Sequence, residues 1–168
     1  MAVTESDLEP QVEDIHFRSI RLEDWHRLQL FHQRLSEQTV HRRFHGAKRE
    51  LSEPLAHHFT ELDGQNDVAI VATTGTRGRI VGVARYCRMS PTSAEVAFVI
   101  EDEYQQHGIG RRLMRRLRAT ALQHGITQFV AEVLPGNMPM LHLLHEAGPA
   151  EVHFDQGVYE VRVDLTKR

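Results

Sequence analysis

The stretch that decides the fold is VAFVIEDEYQQHGIGRRLMRRL, residues 96–117. It begins as an apolar strand, passes through a turn that contains Gly108 and Gly110, and continues as an arginine-rich helix. The first N–H groups of a helix have no partner inside the helix and carry partial positive charge. Glycines in such a turn let a phosphate reach those amides. The junction therefore predicts a phosphate-binding strand-turn-helix unit.

The elements on either side of this unit predict a mixed α/β fold. Upstream, the periodicity predicts a strand at 15–20, helices at 23–35 and 36–44, and a helix that starts at Ser52. Three strands, DVAIVATTG, RIVGVARYCRM and SAEVAFVIED, then form an antiparallel meander. After the central helix, which we expect to end in a left-handed cap at Gly125, come a strand, a helix that ends at Gly148 and two closing strands. We predict a central, mostly antiparallel sheet flanked by helices.

Composition narrows the class of protein. The 168 residues are 40% hydrophobic and 26% charged, which fits a single globular domain over 15–168, preceded by a disordered acidic tail over 1–14. The net charge of −3 gives no general attraction to nucleic acid or to a membrane surface. The single cysteine excludes an internal disulfide and suits a reducing compartment. Without a long apolar run or a basic signal peptide, we expect a cytoplasmic protein.

Two familiar phosphate-binding motifs do not fit the turn. A Rossmann fingerprint needs a third glycine where this chain has Leu113, and it opens a βαβ unit rather than following a meander. A P-loop needs Lys and then Ser or Thr after its last glycine, but Gly110 is followed by Arg111 and Arg112. Both readings fail on residue type.

The pattern Gln105-x-x-Gly108-x-Gly110 resembles the pyrophosphate loop of the GNAT superfamily of acyl-CoA-dependent N-acetyltransferases. The context is also similar: the strand AEVAFVI precedes the loop, while a helix, the strand FVAEVL and Asn137 follow it. The resemblance implies that acetyl-CoA is the co-substrate, with pyrophosphate on the turn amides and the pantetheine arm along the preceding strand. The cofactor-binding residues so implied are Phe98, Val99, Ile100, Gln105, Gln106, His107, Gly108, Ile109, Gly110, Arg111, Arg112 and Asn137.

Several of these residues have a structural alternative. Asn137 could simply cap the helix that it opens. Arg111 and Arg112 sit at the turn and can add charge-assisted bonds to phosphates. Further along the helix, we expect Arg115, Arg116 and Arg118 to form a solvated face.

A narrower resemblance concerns the acceptor. Residues 17–46, FRSIRLEDWHRLQLFHQRLSEQTVHRRFHG, and the segment FVAEVLPGNMPMLHLLHEAG are similar to the acetyltransferase domain of bacterial Pat-type protein lysine acetyltransferases. That similarity implies an acceptor lysine in a protein, with an acyl-CoA synthetase as the suspected partner. Pat-type enzymes often carry a regulatory domain; because 168 residues are short for an additional domain, we do not expect this sequence to contain one.

Glu95 is the predicted general base. An acceptor amine must lose a proton before it attacks a thioester, and Glu95 shares a strand face with Ala97 and Val99, where burial would raise its pKa. The resemblance supports this role, because Pat-type enzymes carry a catalytic glutamate in this AE position. The alternative is an exposed glutamate with no role.

No general acid is evident for the leaving thiolate. Many GNAT enzymes place a tyrosine four residues before the glycine that ends the last helix, where this chain has Leu144. We therefore expect the thiolate to leave to solvent, with neighbouring His145 pointing elsewhere. Cys87 is predicted to be a small core residue, and the histidine pairs lack the frame of a metal site, so we predict no metal.

Taken together, the sequence predicts an acetyl-CoA-dependent acetyltransferase that acts on a protein lysine. Two alternatives stay open: transfer to a small amine such as a polyamine, amino acid or antibiotic, and a non-catalytic acyl-CoA sensor. We expect a monomer or homodimer, without nucleic acid or membrane partners.

Overall fold

A computed structural model describes residues 14–47 and 50–168. The predicted acidic tail lies almost wholly outside the described residues. The described chain has the predicted order of elements: β1 (His16–Ser19), α1 (Trp25–Arg34), α2 (Glu37–Phe44), α3 (Glu53–Thr60), β2 (Asp67–Thr74), β3 (Arg79–Arg88), β4 (Ser93–Ile100), α4 (Ile109–Gln123), β5 (Gln128–Val133), α5 (Met138–Ala147), β6 (Ala150–Asp155) and β7 (Val158–Asp164).

The seven strands form one sheet in the order β1-β2-β3-β4-β5-β7-β6. Only β4 and β5 run parallel, and the other neighbouring pairs are antiparallel. The sheet is thus mixed and mostly antiparallel, as predicted. The parallel pair is joined by α4, because a connection between parallel strands must cross back along the sheet.

Helices cover both faces of the sheet, and each face has its own hydrophobic core. On one face, α4 contributes Ile109, Leu113 and Leu117 to a core that also contains Leu144 of α5. On the other face, Leu28 and Phe31 of α1 pack against Val71 and Val83. Strands β2 and β3 are buried nearly throughout because helices cover both of their faces.

The helix ends follow from the local sequence. Ser36 accepts a hydrogen bond from Thr39 N at 3.1 Å, which caps α2, and Ser52 caps α3 in the same way. Gly125 has a φ of +78°, so the left-handed cap predicted after α4 is confirmed. None of the helices in the described ranges is both long and apolar enough to cross a membrane.

Strands β4 and β5 separate after a short contact. Their register runs from Ser93–Gln128 to Glu95–Val130 and goes no further, although both strands continue. The remaining half of β4, from Val96 to Ile100, stays paired to β3 alone. This divergence opens a cleft in the middle of the sheet, and the cleft positions the candidate site.

Candidate active site

A cavity of about 810 Å³ occupies the cleft between the diverging strands. Its walls are the second half of β4, the turn before α4, the C-terminal end of α2 and the first turns of α5. The cavity therefore brings together the turn predicted to bind phosphate and Glu95, the predicted base.

The second half of β4 presents main-chain groups to the cavity. Glu101 N donates to Val81 O at 2.9 Å, so the backbone groups of Glu101 point toward β3. In an antiparallel ladder these groups alternate in direction from residue to residue. The N–H and C=O groups of Phe98 and Ile100 therefore point into the cleft, whereas those of Val99 point toward β3. Of the three residues expected to hold pantetheine, two have the right backbone orientation and Val99 does not.

The turn before α4 is shaped by backbone conformations with positive φ. Gly108 has a φ of +79° and Gln106 one of +64°. A Cβ on Gly110 would lie 3.6 Å from Leu143 of α5, an ordinary van der Waals contact, so packing against α5 does not itself require a glycine there. The N–H groups at the start of α4 line the cavity without acceptors in the helix. This end of the cavity suits an anion.

The side chain of Gln105 holds the turn in place. Its Nε2 donates to Ile100 O at 2.9 Å and to Thr39 Oγ1 at 3.2 Å. It lines the cavity, but its amide group is already engaged. The first position of the motif thus has a bracing role that its place in the pattern did not predict.

Asp102 fastens the same segment to α2. Its carboxylate accepts from Ser36 N at 3.0 Å, from Ser36 Oγ at 2.6 Å and from Thr39 Oγ1 at 3.1 Å. Burial opposes ionisation of Asp102, but these hydrogen bonds outweigh it and lower the pKa of the carboxyl group. The two walls of the cavity are therefore joined.

The two arginines predicted to assist phosphate binding occupy different places. Arg111 lines the cavity and pairs with Glu146 of α5 through Nη2–Oε1 and Nε–Oε2 contacts of 2.6 and 2.9 Å. This pairing lowers the pKa of Glu146. Arg112 lies outside the cavity lining, and its guanidinium sits 4.4 Å from the ring centre of Phe17. In this geometry the Arg112 side chain points away from the cavity and His107 is also outside the lining, so the predicted roles of these two residues in binding the cofactor stay predictions.

The solvated face predicted further along α4 is only partly correct. Arg115 is exposed, and the Arg116 guanidinium lies over Phe17. Arg118 is half-buried and donates to Ala147 O at 3.1 Å and Leu165 O at 2.5 Å. Arg118 therefore joins α4 to the ends of α5 and β7, and the prediction of a solvated role for it is wrong.

Glu95 lies at the last register pair before the strands separate, and its side chain lines the cavity. The side chain is exposed, so the burial expected from its apolar neighbours in the sequence is wrong. Arg43 of α2 lies close enough for the charge of Glu95 to oppose the lowering of the Arg43 pKa that burial causes. The carboxylate can be reached by a solute while lying beside the opened strand edge.

Comparison with known proteins identifies the family. The model of the Acetyltransferase (GNAT) family matches residues 20–148. The chain belongs to the GNAT acetyltransferase family.

A curated relative is similar to most of this GNAT chain. The chain is 35% identical over 132 residues to acetyltransferase Pat of Mycolicibacterium smegmatis. This alignment covers 77% of the chain but only 39% of that relative.

Two solved structures share the GNAT fold. The GNAT domain of S. lividans PAT superposes with a TM-score of 0.83 at 32% identity, and 90% of each chain is covered. Spermidine N-acetyltransferase from Vibrio cholerae, solved with CoA and spermine, has a TM-score of 0.69 at 17% identity, with 92% and 98% covered. The resemblance to Pat-type domains noted in the sequence is thereby confirmed.

The last helix of the GNAT domain, α5, has the side chains expected from the sequence. Asn137 caps α5 by accepting from Met140 N at 3.4 Å, and it also lines the cavity, where its contact with the cofactor stays a prediction. Leu144 is completely buried, and His145 lies outside the cavity lining. The position where many GNAT enzymes have a tyrosine is thus occupied here by a buried core residue, Leu144.

The cavity residues that were missed in the sequence include Arg43, Glu132, His142 and Glu146. Glu132 shares a sheet face with Glu95, because Val130 pairs with Glu95 and strand residues two apart share a face, but the register between these distant strands is not visible in the sequence. The other three lie on α2 and α5, and only helix packing brings them to the cavity.

Cys87 was predicted to be a core residue, but it is exposed. A hydrogen bond to Asp67 raises the pKa of its thiol to about 11.

Proposed function

We propose that this GNAT acetyltransferase transfers the acetyl group of acetyl-CoA to the ε-amino group of a lysine in a protein, with an acyl-CoA synthetase as acceptor. The observation that carries the proposal is the open acceptor side of the cavity. Glu95, Glu132 and Phe44 at this side are all exposed, so a lysine on the surface of a folded partner can reach the base. The similarity to Pat-type domains supports the same acceptor class.

The donor would bind along the other side of the cavity. The N–H groups at the start of α4 would hold the pyrophosphate, and Arg111 would add a charge-assisted bond after release from Glu146. The cleft-facing N–H and C=O groups of Phe98 and the N–H group of Ile100, whose carbonyl already accepts from Gln105, would bind the pantetheine arm as a neighbouring strand would. In this arrangement the thioester would lie beside the first half of β4, near Glu95.

Chemistry would then proceed by direct attack. A lysine side chain has a pKa of about 10.4 and is almost wholly protonated at neutral pH, so a base must remove a proton. Glu95 takes this proton directly or through a water molecule, and the amine nitrogen attacks the thioester carbonyl carbon. The C–N bond forms, the attacking nitrogen releases its second proton to solvent, and the C–S bond breaks. The CoA thiolate is protonated from solvent because Leu144 offers no acid.

The test is acetylation of a purified acetyl-CoA synthetase with labelled acetyl-CoA. We expect one acetyl-lysine by mass spectrometry, with a parallel loss of synthetase activity. A synthetase whose target lysine is replaced by arginine and the enzyme variant Glu95→Gln serve as controls. Absence of protein labelling together with efficient turnover of free polyamines would refute the protein acceptor.

A second candidate acceptor is a small polycationic amine. Glu132 lies on the same sheet face as Glu95, and both carboxylates line the cavity, which suits a molecule with two amino groups. Spermidine and a synthetase offered together in one reaction would rank the two acceptors directly.

Membership of an acetyltransferase family favours a catalytic role over the alternative of a non-catalytic acyl-CoA sensor.

A further inference from the structure

A second, smaller cavity adjoins the main one on the side of α1–α3. It holds about 40 Å³, and its walls are apolar except for His32 and two arginines, Arg43 and Arg85. The two cavities share Arg43, Phe44 and Val99 as lining residues, so they meet at the C-terminal end of α2. A volume of this size has room for about one water-sized polar group.

The two guanidinium groups are held by aromatic rings rather than by acids. The guanidinium carbon of Arg43 lies 4.6 Å from the ring centre of Phe44, and that of Arg85 lies 4.5 Å from the ring centre of Phe59. Arg85 Nη2 also donates a long hydrogen bond of 3.4 Å to Phe59 O. Across residues 14–47 and 50–168, neither arginine forms a salt bridge with a carboxylate.

Nearby charges only partly offset the burial of the pair. Burial lowers the pKa of Arg85 to about 10; the charge of Arg43 adds to this shift, and the charges of Asp67 and Cys87 oppose it. Burial also lowers the pKa of Arg43, against the opposing effect of Glu95. Two half-buried cations that repel each other across a small cavity would be stabilised by an anion placed between them.

The sheet register places this pair beside the predicted base. Cys87 of β3 lies opposite Glu95, and Arg85 lies two residues earlier on the same strand, opposite the small side chain of Ala97. Diagonal neighbours of this kind lie about 7–8 Å apart, with their Cβ atoms somewhat closer. Glu95 and Arg85 thus occupy separate positions on one sheet face, which suits an amine and a carboxylate carried by different residues of the acceptor.

The geometry points to Arg43 and Arg85 as a carboxylate-binding subsite that selects an acceptor lysine with an acidic residue beside it. This inference rests on the proposed protein-lysine function. The lysine ammonium would approach Glu95 while the neighbouring aspartate or glutamate places its carboxylate between the two guanidinium groups. Arginine provides the planar, multiple N–H donors that bind carboxylates well.

A peptide panel tests the subsite. Each peptide carries one lysine and a single Asp or Glu at one nearby position, matched to a peptide with Asn or Gln there, and kcat/KM is measured with saturating acetyl-CoA. We expect an acidic residue at one position to be preferred by roughly tenfold, as for a charge-assisted hydrogen bond. The ratio should fall to about one in Arg43→Gln and in Arg85→Gln, by the same reasoning.

The control variant is Arg115→Gln, which removes an exposed arginine on α4 and should keep the full preference. Because Arg85 also packs on Phe59, its variant could fail to fold. Arg43→Gln tests the same ratio from α2, and thermal melting of each variant separates loss of folding from loss of selectivity.

Outcomes against the subsite can be told apart from failure of the proposed function. Peptides acetylated with no acidic preference would overturn the subsite and leave the protein-lysine function standing. Arginine-dependent preference for succinyl-CoA over acetyl-CoA, with a flat peptide panel, would show that the carboxylate enters with the donor and would also overturn it. If no peptide reacts, the kcat/KM values of free lysine and cadaverine, which differ by one carboxylate, are compared instead. A higher value for lysine supports the subsite. A higher value for cadaverine refutes it.

Discussion

The two ends of the cavity are built from different kinds of chemical groups. The donor end consists mainly of main-chain atoms: the cleft-facing groups of Phe98 and Ile100 and the amides at the start of α4. The acceptor end consists of side chains, among them Arg43 of α2, Glu95 of β4 and Glu132 of β5. Donor recognition therefore depends on backbone shape, whereas acceptor recognition depends on which side chains the fold brings together.

This difference explains why the donor could be predicted before the acceptor. A main-chain phosphate site requires glycines at fixed spacing between a strand and a helix, which is visible in one short segment. A side-chain site requires residues from three elements, and its charge is the sum of groups far apart in the chain. Thr39 and Asp102 join the two ends, so substitutions there should affect both.

The largest expected effect falls on the acceptor end, in Glu95→Gln. This variant keeps the shape of the side chain but removes the base, so kcat should fall by roughly 10²–10⁴ while the acetyl-CoA KM changes little. The defect should shrink at high pH, where more of the lysine is present as free amine. Steady-state thiol release across pH is the measurement, with Glu151→Gln of β6 as a matched exposed control. Near-normal turnover of Glu95→Gln at neutral pH would exclude it as the base.

The next effect falls on the donor end, in Gly108→Val. Gly108 and Gly157 have φ values of +79° and +83°, and a Cβ at either would meet no atom within 4 Å. A valine at each should therefore cost a similar 1–2 kcal/mol or so of backbone strain. Only Gly108→Val should also weaken CoA binding, by more than about tenfold, because its side chain obstructs the phosphate. Calorimetry with CoA distinguishes the two, and equal affinities would remove the turn from the binding site.

A moderate effect is expected where the two ends are joined. Thr39→Val is nearly isosteric, but it removes the hydroxyl that contacts both Asp102 and Gln105. We expect a loss of about 1–2 kcal/mol in the free energy of unfolding and a several-fold rise in KM for both substrates. Thr60→Val, a buried threonine whose hydroxyl donates only within α3, is the control. A rise in KM for one substrate alone would show that the ends are independent.

The smallest effect should be a gain at the donor end. Glu146→Gln releases Arg111 from its ion pair, so the acetyl-CoA KM should fall about two- to threefold, a change typical of exposed pairs. The gain should disappear at high salt, where exposed charges are screened. An unchanged KM at low salt would mean that Arg111 does not reach the phosphates.

The sequence predicted the order of the elements because each has a local cause: period-two strands, serine caps and a glycine helix end. Its errors concern exposure. Glu95 and Cys87 lie opposite each other on β4 and β3, and both were expected in apolar surroundings, yet both are exposed. Apolar neighbours along a strand do not reveal whether a helix covers that part of the sheet. The prediction that Arg118 is solvated was wrong for the opposite reason: distant segments of the chain cover it. The carbonyl groups to which it donates belong to Ala147 and Leu165.

The sequence by itself determined the family, the α/β fold and the position of the donor turn, because these depend on short-range patterns of glycine, hydrophobic periodicity and caps. Only the tertiary structure decided that Arg112 turns to Phe17, that Glu132 joins Glu95 on one face, and that Arg43 lies near Arg85. The physical reason is that side-chain surroundings are set by register and helix packing. Both bring together residues that are far apart in the chain.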